Sequence, residues 1–181
     1  MASFPQVFGT TASTAVTPNE YYATLAAQGQ TLTLSGLNGD SDGLYRVEFE
    51  ALLNQAAVTF KIQVNGADTN LANFTANAGV GGVASANWQI SQAAQTPAQF
   101  SAGDFYRFQG QFRVKSGRVK TMTGLAYVLK GGTATGWQFY GTYADTATNV
   151  TSMSLVASAA NGFASGTYIY VVQVPVTNPL A

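Results

Sequence analysis

Apolar and polar residues alternate with period two along much of this chain. That period suits a strand buried on one face, and it does not suit a helix. In Leu44–Leu53, the residues Tyr45, Val47, Phe49, Ala51 and Leu53 share one face, and Arg46, Glu48 and Glu50 share the other. Val58, Phe60, Ile62 and Val64 alternate with Thr59, Lys61 and Gln63. Asn54-Gln55 lies between these runs as a turn signal, so they are expected to form a hairpin, and Asn65-Gly66 ends the second run. Tyr106, Phe108, Phe112 and Val114 share a face with Gly110 among them, followed by a turn at Ser116-Gly117. On the return run Val119, Thr121, Thr123, Leu125, Tyr127 and Leu129 hold one parity, opposite Arg118, Lys120 and Lys130. Further strands are expected from Trp137, over Val150–Ala157 and over Thr167–Val174.

No helix long enough to carry a crossover is expected between these runs. The expected fold is therefore all-β, an antiparallel β-sandwich or jelly roll. Two regions lack the period. Residues 1–29 are rich in Thr, Ala, Ser and Gln, and are expected to form an extended arm, with a short helix over Asn19–Ala27 behind Pro18. Residues 76–103 are rich in Gly, Ala and Gln and are expected to be a long loop holding one short strand at Trp88-Gln89-Ile90. The expected organisation is an arm over 1–29, a sandwich over 30–175 and a tail over 176–181.

Composition narrows the chemistry. The 181 residues include no histidine and no cysteine, and 9% are charged. Imidazole and thiol catalysis and most transition-metal sites are thereby removed. No Ser-x-x-Lys and no phosphate-loop Gly-Lys-Ser/Thr occurs. No enzyme activity and no cofactor are expected. A chain of this length buries about 70% of its extended surface and needs no metal or disulfide to fold. No apolar run approaches the roughly 20 residues of a membrane-spanning helix, and the N-terminus lacks the pattern of a secretory signal. A surface so poor in charge suits a protein that lives against other proteins.

Weaker motifs have plain structural readings. Asn38-Gly39-Asp40-Ser41-Asp42-Gly43 resembles the start of a calcium loop, but an EF-hand's final glutamate position is here Phe49. The same residues suit a turn. Glu48 and Glu50 share a strand face and could form a carboxylate pair, yet adjacent glutamates on an open face are more simply explained by basic partners on a neighbouring strand. Trp137, Tyr140 and Tyr143 could stack on a sugar. Of these, only Tyr140 has outward parity, so Tyr140 is the glycan candidate.

Charge is unevenly placed. Arg107, Arg113, Lys115, Arg118, Lys120 and Lys130 are six of the eight basic residues, and no acidic residue interrupts them. Arg113, Lys115, Arg118 and Lys120 surround one turn and form a candidate docking face. With net charge zero, an acidic protein surface is favoured as partner ahead of nucleic acid, and a plain solvated hairpin is an equal alternative. In the last strand both parities are apolar, which marks Tyr168, Ile169, Tyr170 and Val171 as a doubly buried strand or a subunit interface.

From about Thr31 to Val174 the chain resembles tailed-bacteriophage virion proteins of β-sandwich, jelly-roll type. The resemblance rests on Leu32-Thr33-Leu34-Ser35-Gly36-Leu37, Leu44-Tyr45-Arg46-Val47-Glu48-Phe49, Val58–Gly66 and the basic hairpin. It rests also on Asn149–Leu155 and on Asn161-Gly162-Phe163-Ala164-Ser165-Gly166-Thr167-Tyr168-Ile169-Tyr170. The resemblance implies a virion location and a structural role. The first expectation is a capsid decoration or cement protein that contacts the major capsid protein, forms a homo-oligomer (a trimer) and binds neither membrane nor nucleic acid. The alternative is a head-fibre or tail-fibre module that recognises a host glycan or protein, with the 76–103 loop and Thr133–Gly136 as walls.

Overall fold

A computed structural model describes residues 13–17, 19–67, 71–77, 80–85, 88–89, 101–130 and 133–174. In chain order the strands are β1 (Ser13–Thr17), β2 (Glu20–Thr24), β3 (Thr31–Ser35), β4 (Leu44–Leu52) and β5 (Phe60–Val64). They continue with β6 (Leu71–Asn77), β7 (Val80–Ser85), β8 (Trp88–Gln89), β9 (Phe105–Arg113) and β10 (Lys120–Lys130). The last are β11 (Thr133–Tyr143), β12 (Ser152–Ala157) and β13 (Tyr168–Gln173), and one helical turn, α1 (Gly39–Asp42), precedes β4.

Among the described residues the strands form two antiparallel sheets, one ordered β1-β2-β13-β4-β9-β10-β11-β6-β7 and the other β3-β12-β5-β8. The chain changes sheet from β2 to β3, β3 to β4, β4 to β5, β5 to β6, β7 to β8, β8 to β9, β11 to β12 and β12 to β13. The quartet β2-β13-β4-β9 is thus set across from β3-β12-β5-β8, strand by strand. This interleaving is that of a jelly roll, so the expected fold class is the observed one. The pairs β6–β7 and β10–β11 extend the large sheet beyond β9, and β1 extends its other edge.

Period-two patterning places the core. Val47, Phe49, Ala51, Tyr106, Phe108 and Phe112 from the large sheet meet Leu32, Leu34, Phe60, Ile62, Val64, Met153 and Leu155 from the small one, all buried. Phe60 packs edge-on against Tyr106 at 4.9 Å, Phe163 at 5.8 Å and Phe49 at 6.1 Å between ring centroids. Each such aromatic side chain contributes roughly 1.5–3 kcal/mol on burial.

Beyond β9, two glycines shape the sheet. Gly110 and Gly124 are cross-strand partners, and the Phe108 ring fills the space their missing side chains leave. A Cβ at Gly110 would collide with the Thr123 carbonyl oxygen and the Phe108 ring; one at Gly124 would collide with the Gln109 carbonyl oxygen and the same ring. Phe108 stacks on Phe49 at 5.2 Å and meets Phe139 edge-on at 5.7 Å. Glycines so placed let a sheet curl, and β6, in the extension, lies against β8 at the edge of the small sheet.

Loops are held by asparagine. Asn65, at φ +54°, accepts from the backbone N–H groups of Thr151 (2.8 Å) and Ser152 (3.2 Å) and donates to the Asn149 carbonyl at 2.8 Å. Asn38 caps α1 through Ser41 N–H, and Gly39 N–H donates to the Val150 carbonyl at 3.0 Å. At the Asn161 turn, φ +54°, Gly162 N–H donates to the Ala159 carbonyl at 3.0 Å.

Several expectations change. Glu20–Thr24 is a strand between β1 and β13, not a helix; Tyr21 and Tyr22 favour strand, and sheet pairing decides. Sheet structure therefore begins before residue 30, and β1 falls inside the expected arm. β4 and β5 belong to different sheets and are not a hairpin. β8 is the short strand expected at Trp88-Gln89-Ile90, but a further strand, β7, occupies part of the region read as a loop, and Thr133–Gly136 is the start of β11. On β10 the parity is reversed: Met122, Ala126 and Val128 face the core, and Leu125 faces out. Residues 1–12 of the expected arm, the tail 176–181 and the Trp137 side chain lie outside the described residues.

Candidate functional site

The outer face of the large sheet carries the side chains opposite the core. Strand register arranges them in transverse rows. One runs Tyr22, Tyr170, Glu48, Gln109, Leu125, Gln138, and its neighbour runs Thr24, Tyr168, Glu50, Arg107, Tyr127, Gly136. The face has two halves of different chemistry.

Over β13, β4 and β9 it is charged, and Glu48 stands at the centre of a hydrogen-bonded group. Glu48 Oε1 accepts from Arg107 Nη2 at 2.7 Å and from the Tyr168 hydroxyl at 2.8 Å, while Oε2 accepts from Gln109 at 3.2 Å. Arg107 Nη1 also donates to the Tyr127 hydroxyl at 3.4 Å. Tyr168 in turn stacks on Tyr22, centroids 6.0 Å apart. Burial alone would push the Glu48 carboxyl up. Hydrogen bonds from Arg107 and Tyr168, with the Arg107 charge, outweigh that and hold it below the usual value. Burial and the hydrogen bond to Glu48 push the Tyr168 phenol up. An anionic Glu48 bonded at both oxygens lacks the raised pKa that a glycosidase acid needs, and its contacts to Arg107, Gln109 and Tyr168 are those of a scaffold residue. The basic partner on a neighbouring strand is Arg107.

Over β10 and β11 the face carries no charge at its paired outward positions: Thr121 with Thr142, Thr123 with Tyr140, Leu125 with Gln138, Tyr127 with Gly136. Leu125 is 62% exposed and Tyr140 44%. Tyr140 has the outward placement expected of it, and its hydroxyl donates to Gln138 at 2.8 Å.

At one end of this face lies the basic loop. Arg113, Lys115 and Arg118 are exposed. Lys120 is not part of that surface: only 1% exposed, it donates to the Asp145 carbonyl and lies 5.3 Å from the Tyr143 ring centroid. The reason is register. Lys120 shares parity with the core residue Met122, and the carbonyl and ring supply the partners a buried ammonium requires. The candidate interface strand divides likewise. Ile169 and Val171 belong to the chain's own core, and β13 is flanked by β2 and β4; only Tyr168 and Tyr170 face outward.

The Asn38–Gly43 segment is the α1 turn. The Asp42 carboxylate accepts from the buried Tyr45 hydroxyl, and Asp40 Oδ1 accepts from Ser116 N–H at 3.0 Å. Among the described residues no group of three or more acidic, histidine or cysteine side chains could hold a metal ion, and no helix is long and apolar enough to cross a membrane. No model of a known protein family and no curated protein matches the chain.

Proposed function

We propose that this protein is a structural component of a virion, a capsid decoration or cement protein that binds and stabilises the head lattice. One observation carries the reading: the outward face of β10 and β11 is uncharged, with Leu125 at 62% exposure amid Gln109, Gln138, Thr123 and Tyr127. An apolar side chain in a polar surround free of charge costs little to desolvate, which suits the core of a protein contact, where charged residues are depleted. The jelly roll and the resemblance of the chain to phage virion proteins support the same role. Its mechanism is multivalent burial: several modest contacts, each smaller than the roughly 1,600 Å² of a standard interface, add by avidity. Copies act as a homo-oligomer, a trimer, and the major capsid protein is the partner. Neither catalysis nor a cofactor enters.

A second reading, a receptor-binding module of a head or tail fibre, is favoured by Tyr140 alone, an exposed ring fixed by Gln138. Cryo-electron microscopy of the particles that carry the chain separates the two. Density across the head lattice is the expected result. Density only at a fibre end transfers the role to host recognition, and absence from any particle removes both.

A further inference from the structure

We infer that the loop Val114–Val119 is a preformed docking site for an acidic segment of a partner protein. This names the partner chemistry of the assembly role proposed above and rests on that role only for the partner's place in a virion.

Three observations carry it. First, the cations are uncommitted. Arg113, Lys115 and Arg118 are exposed, and none of them forms an ion pair with a described residue. Asp40, the acid that touches the loop, accepts from the Ser116 N–H through Oδ1.

Second, the loop is held from both sides. Val114 N–H donates to the Gly43 carbonyl at 3.0 Å and Gly117 N–H, at φ +83°, donates to the Thr146 carbonyl at 2.8 Å. The Val114 side chain is buried against Gly39, where a Cβ would lie 3.0 Å from it. Lys120 closes the base of the loop through Asp145. A site already ordered loses little entropy on binding.

Third, Val119 stands 52% exposed beside the cations. A phosphate backbone gives an apolar side chain nothing to pack on, whereas a protein segment does. Three cations in a chain of zero net charge also give a long polyanion few phosphates to neutralise. A short acidic segment needs only this local match, and Arg is suited to hold a carboxylate through two bonds.

The test uses the full chain, a fluorescein-labelled peptide of alternating glutamate and alanine, and a labelled DNA duplex, followed by anisotropy. The peptide is expected to bind, weaken as salt rises from about 50 to 200 mM, and bind more tightly than DNA at equal salt. R113A/K115A/R118A is expected to weaken it about tenfold and flatten its salt dependence. V119S should weaken it with the salt slope unchanged, and R46A, an exposed cation on β4, should leave it as it was. Circular dichroism confirms that each variant folds. Peptide binding that is absent, or unmoved by the triple variant, overturns the inference; tighter binding to DNA replaces it with a nucleic-acid site. If the peptide result holds while no particle takes up the protein, the virion reading falls and the loop's chemistry stands.

Discussion

Arg107 and Arg113 stand on the same strand, on the same outward face, six residues apart, and have opposite fates. Arg107 is half-buried and joined to Glu48 at 2.7 Å; Arg113 is exposed and unpaired among described residues. Cross-strand neighbours make the difference. Arg107 lies opposite Glu50 and diagonal to Glu48 on β4, whereas Arg113 lies opposite Leu44 on β4 and Thr121 on β10. A strand face is thus a row of separate environments written by the adjoining strands. In this protein one stretch of β9 ties neighbouring strands together through Arg107, and the next presents Arg113 with no ion pair among the described residues.

Breaking the strand under both arginines should have the largest effect. G110A sets a methyl against the Thr123 carbonyl and the Phe108 ring. A loss of about 3 kcal/mol is expected, read as a fall in the urea midpoint, and an unchanged midpoint would show that the sheet yields there without cost. E48A comes next. It removes the acceptor of Arg107, Tyr168 and Gln109. Side-chain exposures of 35% for Arg107 and 21% for Glu48 hold the expected loss to about 1–2 kcal/mol. The same carboxylate gives a pH signature. Its folded pKa lies below the usual value, so the unfolded chain binds the proton more readily. The stabilisation is present above about pH 4.3 and is lost as pH falls through the folded value. E48Q should lack that acid-limb loss when unfolding is followed across the range.

Y168F is expected to cost about 1 kcal/mol, and in a double-mutant cycle with E48A its effect should largely vanish; full additivity would separate the tyrosine from the carboxylate. The smallest effect belongs to the free end. R113A/K115A/R118A should shift stability by no more than about 0.5 kcal/mol. A larger fall in the melting temperature would mean that these cations, like Arg107, hold the fold.

Much of this arrangement is legible in the residues themselves. The alternation Tyr45-Val47-Phe49-Ala51 states which face of β4 is buried, and Tyr106-Phe108-Phe112-Val114 does the same for β9. Period two, however, says which face turns inward and not which sheet receives it, so β4 and β5 read as a hairpin although they lie in opposite layers. β10 misleads for a more specific reason. Its core-facing parity contains Gly124 and Ala126, kept small at the glycine by the Phe108 ring, and begins with a charged residue. Its outward parity contains Leu125, Tyr127 and Leu129. A count of apolar residues therefore selects the wrong side, and with it the wrong environment for Lys120. The Glu48–Arg107 contact depends on register between strands 59 positions apart, and no local pattern carries that.

The asparagine-held turns bear on how long a copy keeps its covalent identity. An Asn-Gly pair ages when the glycine nitrogen attacks the asparagine side-chain carbonyl, expelling ammonia and leaving aspartate or isoaspartate after hydrolysis. The chain has three such pairs, at Asn38, Asn65 and Asn161. In two, the glycine N–H is already bound, to Val150 and to Ala159, and in the third the asparagine amide is held at both ends. Each closure needs a hydrogen bond to break first. The folded protein should accumulate deamidated product far more slowly than its unfolded chain, a durability suited to a component that must wait for its moment of use.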